Sequence, residues 1–346
     1  MSASITSRLH SARFHGAFPQ VRTPRYVIVG QDGGQSIRAG DQTLFLFSDT
    51  LLLASAAPGE RTKTSDHFLA NCAAISNETN LESALASLRY YHGEDSLPRE
   101  ILPANHRDRF RRVRFWPEHG IFLNDRVYFY YLGVQTTGVS SVWQFRTVGA
   151  GLAEFDIASG AARRIEHRGD WVLWRNPTDD LHFGVYVVAV DEHVYVFGSS
   201  RTGVQSTAWL ARVPADRIAE RDAYEYLAST DPTWTPDISQ ACSLGPAAAE
   251  FSANYNAYLE MYTMIYLDEY SKRLKLRTAD QLWGPYSEPT DLIGVPHQDD
   301  SLFVYLGFEH AGFQRENGRK IFVSYCEPHF AASSLLSVTF DNARSG

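Results

Sequence analysis

The sequence predicts an all-β chain folded as a five-bladed β-propeller. Five segments repeat one local pattern, four of them follow a tight polar turn, and no long stretch keeps a helical period. The segments are residues 43–49 (TLFLFSD), 127–133 (VYFYYLG), 194–200 (VYVFGSS), 262–268 (YTMIYLD) and 320–326 (KIFVSYC). Each is a run rich in β-branched and aromatic residues that closes on a small or polar one, as buried strands do. Gly40-Asp41, Asn124-Asp125, Asp191-Glu192 and Asn317-Gly318 suit two-residue hairpin loops. Further strand-like stretches stand upstream at 35–39, 184–190 and 302–307.

The segments begin 84, 67, 68 and 58 residues apart. A constant pattern at uneven spacing fits blades that carry loops of different length. A single four-stranded blade cannot bury both faces, so neighbours must pack about a common axis. The reading is one propeller domain over residues 1–346, with about the first 20 and the last 8 residues at its periphery. The longest insertion, residues 55–105, holds a weakly helical piece at 80–91. A β-sandwich with a small second domain is the structural alternative.

Composition narrows the function. Hydrophobic residues make up 44% of the 346, enough for a large core, and the net charge is −8. A mildly acidic chain lacks the basic footprint of a nucleic-acid binder. The one dense basic stretch, residues 107–114, reads as a solvated strand face or loop. Cys72, Cys242 and Cys326 are odd in number and far apart, which suits neither a disulfide framework nor a zinc site. No metal or cofactor is expected. No apolar run is long enough to cross a membrane, and the opening residues lack the apolar core of a secretory leader. The sequence as it stands therefore reads as cytoplasmic, or as secreted if a leader has been removed.

The first hairpin carries the chemistry. If Gly40-Asp41 is its loop, residues whose numbers add to 81 face each other, and Asp32 and Asp49 are such a pair. Without a bulge their Cβ atoms would lie ~5 Å apart on one face. Two facing carboxylates repel unless a proton, cation or ligand intervenes, and that repulsion raises one pKa. Glycoside hydrolysis uses such a pair, one carboxyl as acid and the other as nucleophile or base. The competing reading makes Asp32 a turn residue and Asp49 a strand-end cap.

The ordered motifs Gln31-Asp32-Gly33-Gly34-Gln35-Ser36, Phe47-Ser48-Asp49-Thr50, Phe115-Trp116-Pro117 and Asn254-Tyr255-Asn256 resemble a known family. Glu309-His310, followed by Phe322-Val323-Ser324-Tyr325, continues the series, and the likeness runs from about residue 31 to residue 325. The family is the five-bladed propeller group known as domain of unknown function 4185, some of whose members are endo-D-arabinanases. The resemblance implies catalytic aspartates at Asp32 and Asp49, with Gln31 and Gln35 beside them as substrate-binding candidates. Two positions depart from the family pattern: Ser48 stands where glycine is usual, and Met261 where a basic residue is common.

Other candidates come from the residues themselves. Trp116, Trp143, Trp171, Trp174 and Trp283 could stack on a sugar, Trp116 best, because Pro117, Glu118 and His119 follow it at a strand entrance. His119 beside Glu118, and His310 beside Glu309, offer imidazoles for hydrogen bonding or proton transfer. Asn254 and Asn256 alternate with Tyr255, so both asparagines share one face of a strand. The acidic run at 297–300 reads as a surface turn. The expected function is a glycoside hydrolase acting on arabinan-like furanosides, with a small-molecule or oligosaccharide substrate. A non-hydrolytic enzyme of specialised metabolism, a cyclase or cycloaddition-type catalyst using the same pocket, is the alternative.

Overall fold

The structure is a computed structural model that describes residues 9–55, 65–137, 145–175, 181–298, 300–328 and 333–341. Five antiparallel sheets form a five-bladed β-propeller. The five repeated segments all fall in the second strand of their blade: Gln42–Ala54, Arg126–Thr136, His193–Thr202, Met261–Asp268 and Lys320–Cys326. Their first strands are Tyr26–Ala39, Val113–Leu123, His182–Val190, Phe251–Asn256 and Tyr305–Glu309. The strand Leu9–Ala17 pairs with Ser334–Phe340, so both ends of the described chain meet in the fifth sheet. No helix among the described residues is long and apolar enough to cross a membrane.

Residues 40–41, 124–125 and 191–192 are two-residue loops between strands, as the sequence predicts, but Asn317-Gly318 is not: the preceding strand ends at Glu309, and the pair falls in the short helical turn Glu316–Gly318 of a longer connection. Asn124 and Asp125 both take positive φ, the conformation a tight hairpin loop needs. Within the long insertion, Leu81–Ala86 is a helix whose N-cap, Asn80, accepts a hydrogen bond from the Ser83 backbone N–H. The basic stretch differs from the sequence reading. Its first half is the helix His106–Phe110, because Asn105 and Asp108 close a reciprocal capping box there.

The residues gather into two compact units, one holding 18–184 and the other 9–17, 185–328 and 333–341. In the first unit, Leu44, Leu46 and Ala73 of one blade pack against Phe115, Phe129 and Tyr131 of the next. In the second, Phe197 and Leu210 meet Phe251 and Met264. Ile265 and Leu276 of the fourth blade then meet Ile321 and Val338 of the fifth. Within each unit, adjacent blades thus bury facing side chains on one another, as the repeat requires. Phe129 is fully buried between two blades. Phe129→Ala should therefore lower stability by about 3–5 kcal/mol, read as a fall in the urea midpoint at unchanged m-value.

Candidate active site

The first hairpin follows the expected register on both sides of the aspartates but not between them. Residues 35–39 pair with 42–46 as counted from the turn, and Gln31 again faces Thr50. Between these, Gly33 faces Phe47, and the register shifts on either side of it. Asp32 consequently lies opposite the Ser48-Asp49 step rather than opposite Asp49 alone. One strand carries an extra residue here and the other carries one immediately after, so the two bulges cancel. Gly33 and Gly34 make this feasible with φ of +84° and +101°. A Cβ on Gly33 would stand 3.1 Å from the Ser48 nitrogen, a tight contact added to a φ that other residues rarely adopt.

Asp49 is half-buried, and the Trp116 indole Nε1 donates to its Oδ1 at 2.9 Å. The Trp116 ring is itself held edge-on by Phe145, at 4.6 Å between centroids. Burial pushes the Asp49 carboxyl up to about 6, against the opposing pull of the Trp116 hydrogen bond and the Arg114 charge. Glu100 adds to the rise. This glutamate accepts the Ala70 backbone N–H at 2.9 Å, and the neighbouring Leu69 pairs with Thr50 beside Asp49. Nothing in the sequence marks Glu100, since it lies in an aperiodic loop that folds back onto the hairpin.

Asp32 is half-buried on the same hairpin. Beneath the two aspartates Gln31 is buried, and its amide is engaged inside the protein. Its Nε2 donates to Thr50 Oγ1 at 3.1 Å and to Cys72 Sγ at 3.3 Å, and its Oε1 accepts from Tyr90 at 2.8 Å. The Cys72 thiol is pushed up to about 12 by burial, with Glu100 and Asp32 adding to the effect. Gln35 is buried too, and no hydrogen bond reaches its Oε1. Glu118, 4% exposed, and the half-buried His119 lie in a second bulge, between the Pro117–Tyr131 and Gly120–Phe129 pairs.

In the other unit, Asn254 and Glu309 come together as a buried cluster that also includes Gln314. The Asn254 Nδ2 and Gln314 Nε2 atoms donate to the Glu309 carboxylate at 3.1 and 2.6 Å. Gln314 also donates to Asn254 Oδ1 at 3.0 Å. Burial raises the Glu309 pKa while these two donors hold it down. Asn256 shares the face of Asn254, but its side chain binds backbone, donating to Gly318 O and accepting from Tyr258 and Leu259 N–H groups. Tyr255, on the opposite face, is exposed and packs edge-on against Tyr262. His310 is fully buried, with Nε2 3.0 Å from Ser324 Oγ.

The remaining tryptophans pack. Trp171 and Trp174 lie against Phe115 and Tyr130, and Trp283 against Tyr195. Trp143 and Asp299 lie outside the described residues. His297 places Nδ1 2.9 Å from its neighbour Val295 O, as a turn residue does.

What this hairpin can do follows from Asp49. A carboxyl titrating near 6 keeps a proton in weakly acidic solution and can deliver it to a leaving oxygen. Trp116→Phe removes a donor that favours the charged form, so the Asp49 pKa should rise above about 6, read by NMR titration of its carboxyl carbon. Because the folded-state value exceeds the ordinary carboxylate value of about 4, the fold favours protonated Asp49. The stability this gives below pH about 4 is lost as pH rises through about 6. Asp49→Asn should therefore unfold at higher urea than the parent at pH about 8 and show little difference at pH about 4.

Residues 19–329 match the family described as "Domain of unknown function (DUF4185)". No curated protein matches the chain. Among solved structures, a putative hydrolase from Bacteroides ovatus ATCC 8483 superposes with a TM-score of 0.61 at 14% identity, over 92% of each chain. Zg3597, a family 117 glycoside hydrolase of the marine bacterium Zobellia galactanivorans, gives 0.53 at 9% identity, over 97% of this chain and 92% of that one. The catalytic domain of the Coprinopsis cinerea GH62 alpha-L-arabinofuranosidase gives 0.50 at 8% identity, over 98% and 99%. At such identities the likeness concerns the fold alone. With nearly its whole length matched, the chain belongs to the DUF4185 family.

Proposed function

We propose that this protein is a glycoside hydrolase acting on furanosides of the arabinan type, with Asp49 as general acid and Asp32 as its partner carboxylate. The observation that carries the reading is Asp49 itself: a half-buried carboxyl raised to about 6, on a bulged hairpin opposite a second aspartate. Protonated Asp49 gives its proton to the glycosidic oxygen as the bond to the anomeric carbon breaks. Asp32, ionised, attacks that carbon or takes a proton from the water that does. A carboxyl separation of ~5–5.5 Å in the substrate complex would give retention, and ~6.5–9.5 Å would give inversion. Fold neighbours that are glycoside hydrolases, one of them an arabinofuranosidase, support this reading without fixing the sugar.

Trp116 has two parts in this scheme. Its indole N–H fixes the Asp49 rotamer, and it keeps the pKa from climbing so high that the proton would be hard to release. The apparent pKa of Asp49 sets the alkaline limb of the rate profile, so kcat/KM should fall as pH rises above about 6.

Asp32→Asn and Asp49→Asn should each lower kcat by ~10²-fold or more on an aryl arabinofuranoside or arabinan, with folding confirmed by circular dichroism. The double variant should be little worse than the poorer single one, because the two groups act as a unit. Full activity in either single variant would remove that residue from the mechanism. Hydrolysis kept by both would place the reacting groups outside this hairpin, and no turnover of any furanoside by the parent protein would favour the cyclase alternative.

A further inference from the structure

A second pair of carboxyls lies apart from the aspartate hairpin, in the unit that holds residues 185–328. Glu269 directly follows the strand Met261–Asp268, Glu250 directly precedes Phe251–Asn256, and Arg201 lies near the end of His193–Thr202. Arg201 donates to Glu269 Oε1, and the side chain of that glutamate is only 5% exposed. Its second oxygen, Oε2, is buried as well, and no donor among the described residues reaches it. A buried carboxylate oxygen without a donor destabilises the fold, so this edge of the ion pair calls for a hydrogen.

Glu250 is the group that can supply one. Its carboxyl is partly buried, accepts the Leu306 backbone N–H, and faces the charges of Glu269 and Arg201. Burial and the Glu269 charge push it up to about 7, against the pull of Arg201 and of the N–H groups. Tyr270 adds its hydroxyl to the groups around Arg201. The other charges of this turn are engaged elsewhere. Asp268 lies 3.6 Å from Lys275 Nζ, and the Lys272 ammonium donates to Ser301 O.

Both glutamates also hold the first strand of the fifth blade. The Val304 N–H donates to Glu269 O at 3.1 Å, and the Leu306 N–H donates to the Glu250 carboxyl. Leu306 has a φ of +54°, in the left-handed region that leucine seldom adopts, inside a bulge between the Tyr305–Cys326 and Phe308–Ser324 pairs. A Cβ on Gly307 would press on Leu267, so the bulge packs directly on the strand that leads into Glu269. Backbone held in such a conformation persists only where its surroundings enforce it.

We infer that Glu250 and Glu269 share one proton, which Glu250 donates to Glu269 Oε2, and that this proton is a pH-sensitive clasp on the bulged strand of the fifth blade. With the proton in place, one carboxylate charge balances one guanidinium and the buried oxygen has its donor. When the proton leaves to solvent, two carboxylates face one guanidinium, and their repulsion acts on the residues that hold Val304 and Leu306. The folded-state value of Glu250 lies above the ordinary ~4.3 of a glutamate, so the clasp's contribution is complete below pH about 4 and is lost as pH rises through about 7. It draws on no residue of the aspartate hairpin and is independent of the reaction proposed there.

The test follows the whole protein by NMR and hydrogen exchange between pH about 5 and about 9. The Glu250 carboxyl carbon and the Leu306 amide should titrate on one curve with a midpoint of about 7. From pH about 6 to about 8.5, the opening constant of the Val304 and Leu306 amides, corrected for intrinsic exchange, should rise about tenfold. Glu250→Gln keeps a donor for Glu269 Oε2 without a titrating proton, so it should abolish most of that rise. Glu269→Gln removes the like charge and should lower the Glu250 midpoint by about one unit or more. A midpoint that stays at its parent value in Glu269→Gln would show burial acting alone and overturn the shared proton. A tenfold rise preserved in Glu250→Gln, or a Leu306 amide that ignores the Glu250 titration, would overturn the clasp. Should Glu250→Gln fail to fold, the parent and Glu269→Gln curves decide the matter on the same criteria.

Discussion

Two aspartates can stand in the middle of a tightly packed hairpin only if the backbone makes room for them, and paired bulges in the first blade provide that room. An extra residue at the Ser48-Asp49 step is offset by one at Gly34, so the strands re-enter register at Gln35 and Leu46. Both glycines take positive φ with other atoms close by. A Cβ on Gly34 would lie 3.1 Å from the Phe18 ring, and one on Gly33 would press on the Ser48 backbone. Any other residue there would carry the left-handed strain together with a tight contact that its neighbours must yield to. Beneath the bulges, Gln31, Thr50, Cys72 and Tyr90 form a closed hydrogen-bonded network. Burial keeps the Tyr90 hydroxyl and the Cys72 thiol protonated, so the network is neutral. It fixes the position of the aspartates without adding a fixed charge beneath them.

The charge state of Asp49 is then set by its surroundings in front and to the side. Burial and Glu100 disfavour ionisation, while the Trp116 indole and Arg114 favour it. The balance leaves an intermediate value, where a group can both hold and release a proton. Glu309 shows the contrasting outcome from similar materials. It is 3% exposed and accepts from two amide side chains, and its backbone N–H donates to Ser252 Oγ at 3.0 Å. A carboxyl so enclosed organises its own blade by holding Asn254 and Gln314 in place. Asp49 remains half-buried on its bulged hairpin. Burial raises both groups, yet of the two only Asp49 keeps part of its surface exposed.

What was legible in the sequence divides along the same physical line. The second strands were readable because each blade buries a run of β-branched and aromatic residues behind a turn, and these are local signals. The hairpin count from Gly40-Asp41 gave the correct partners on both flanks of the aspartates. The bulges between them were not readable, because left-handed glycines are compatible with several backbone paths and neighbouring packing selects one. Glu100 and Gln314 lie in irregular segments, and only the folded chain brings them to Asp49 and Glu309. Gln31 has the composition of a binding residue, but strand facing turns it inward to Thr50 and Tyr90. The Asn105-Asp108 capping signal stood in the sequence beside the basic stretch, yet the arginines, which suit a strand face or a helix equally, hid the helix.

Bulges also explain where polar residues gather within a blade. In the fourth blade, Phe251–Asn256 pairs with 261–266 without a shift, and its polar side chains alternate regularly. Asn254 and Asn256 accordingly find partners close at hand, one in Glu309 and the other in the backbone around Gly318. In the first two blades the regular alternation breaks, at Ser48-Asp49 and at Glu118-His119. A bulge twists the strand locally and turns a side chain out of the face its neighbours occupy. At the second bulge Glu118 stays buried, 4% exposed, whereas at the first Asp49 escapes the full desolvation of the blade core yet stays close enough to it to be perturbed. Asp49 has that status: raised by burial, steadied by one indole hydrogen bond, and placed by a break in an otherwise regular sheet.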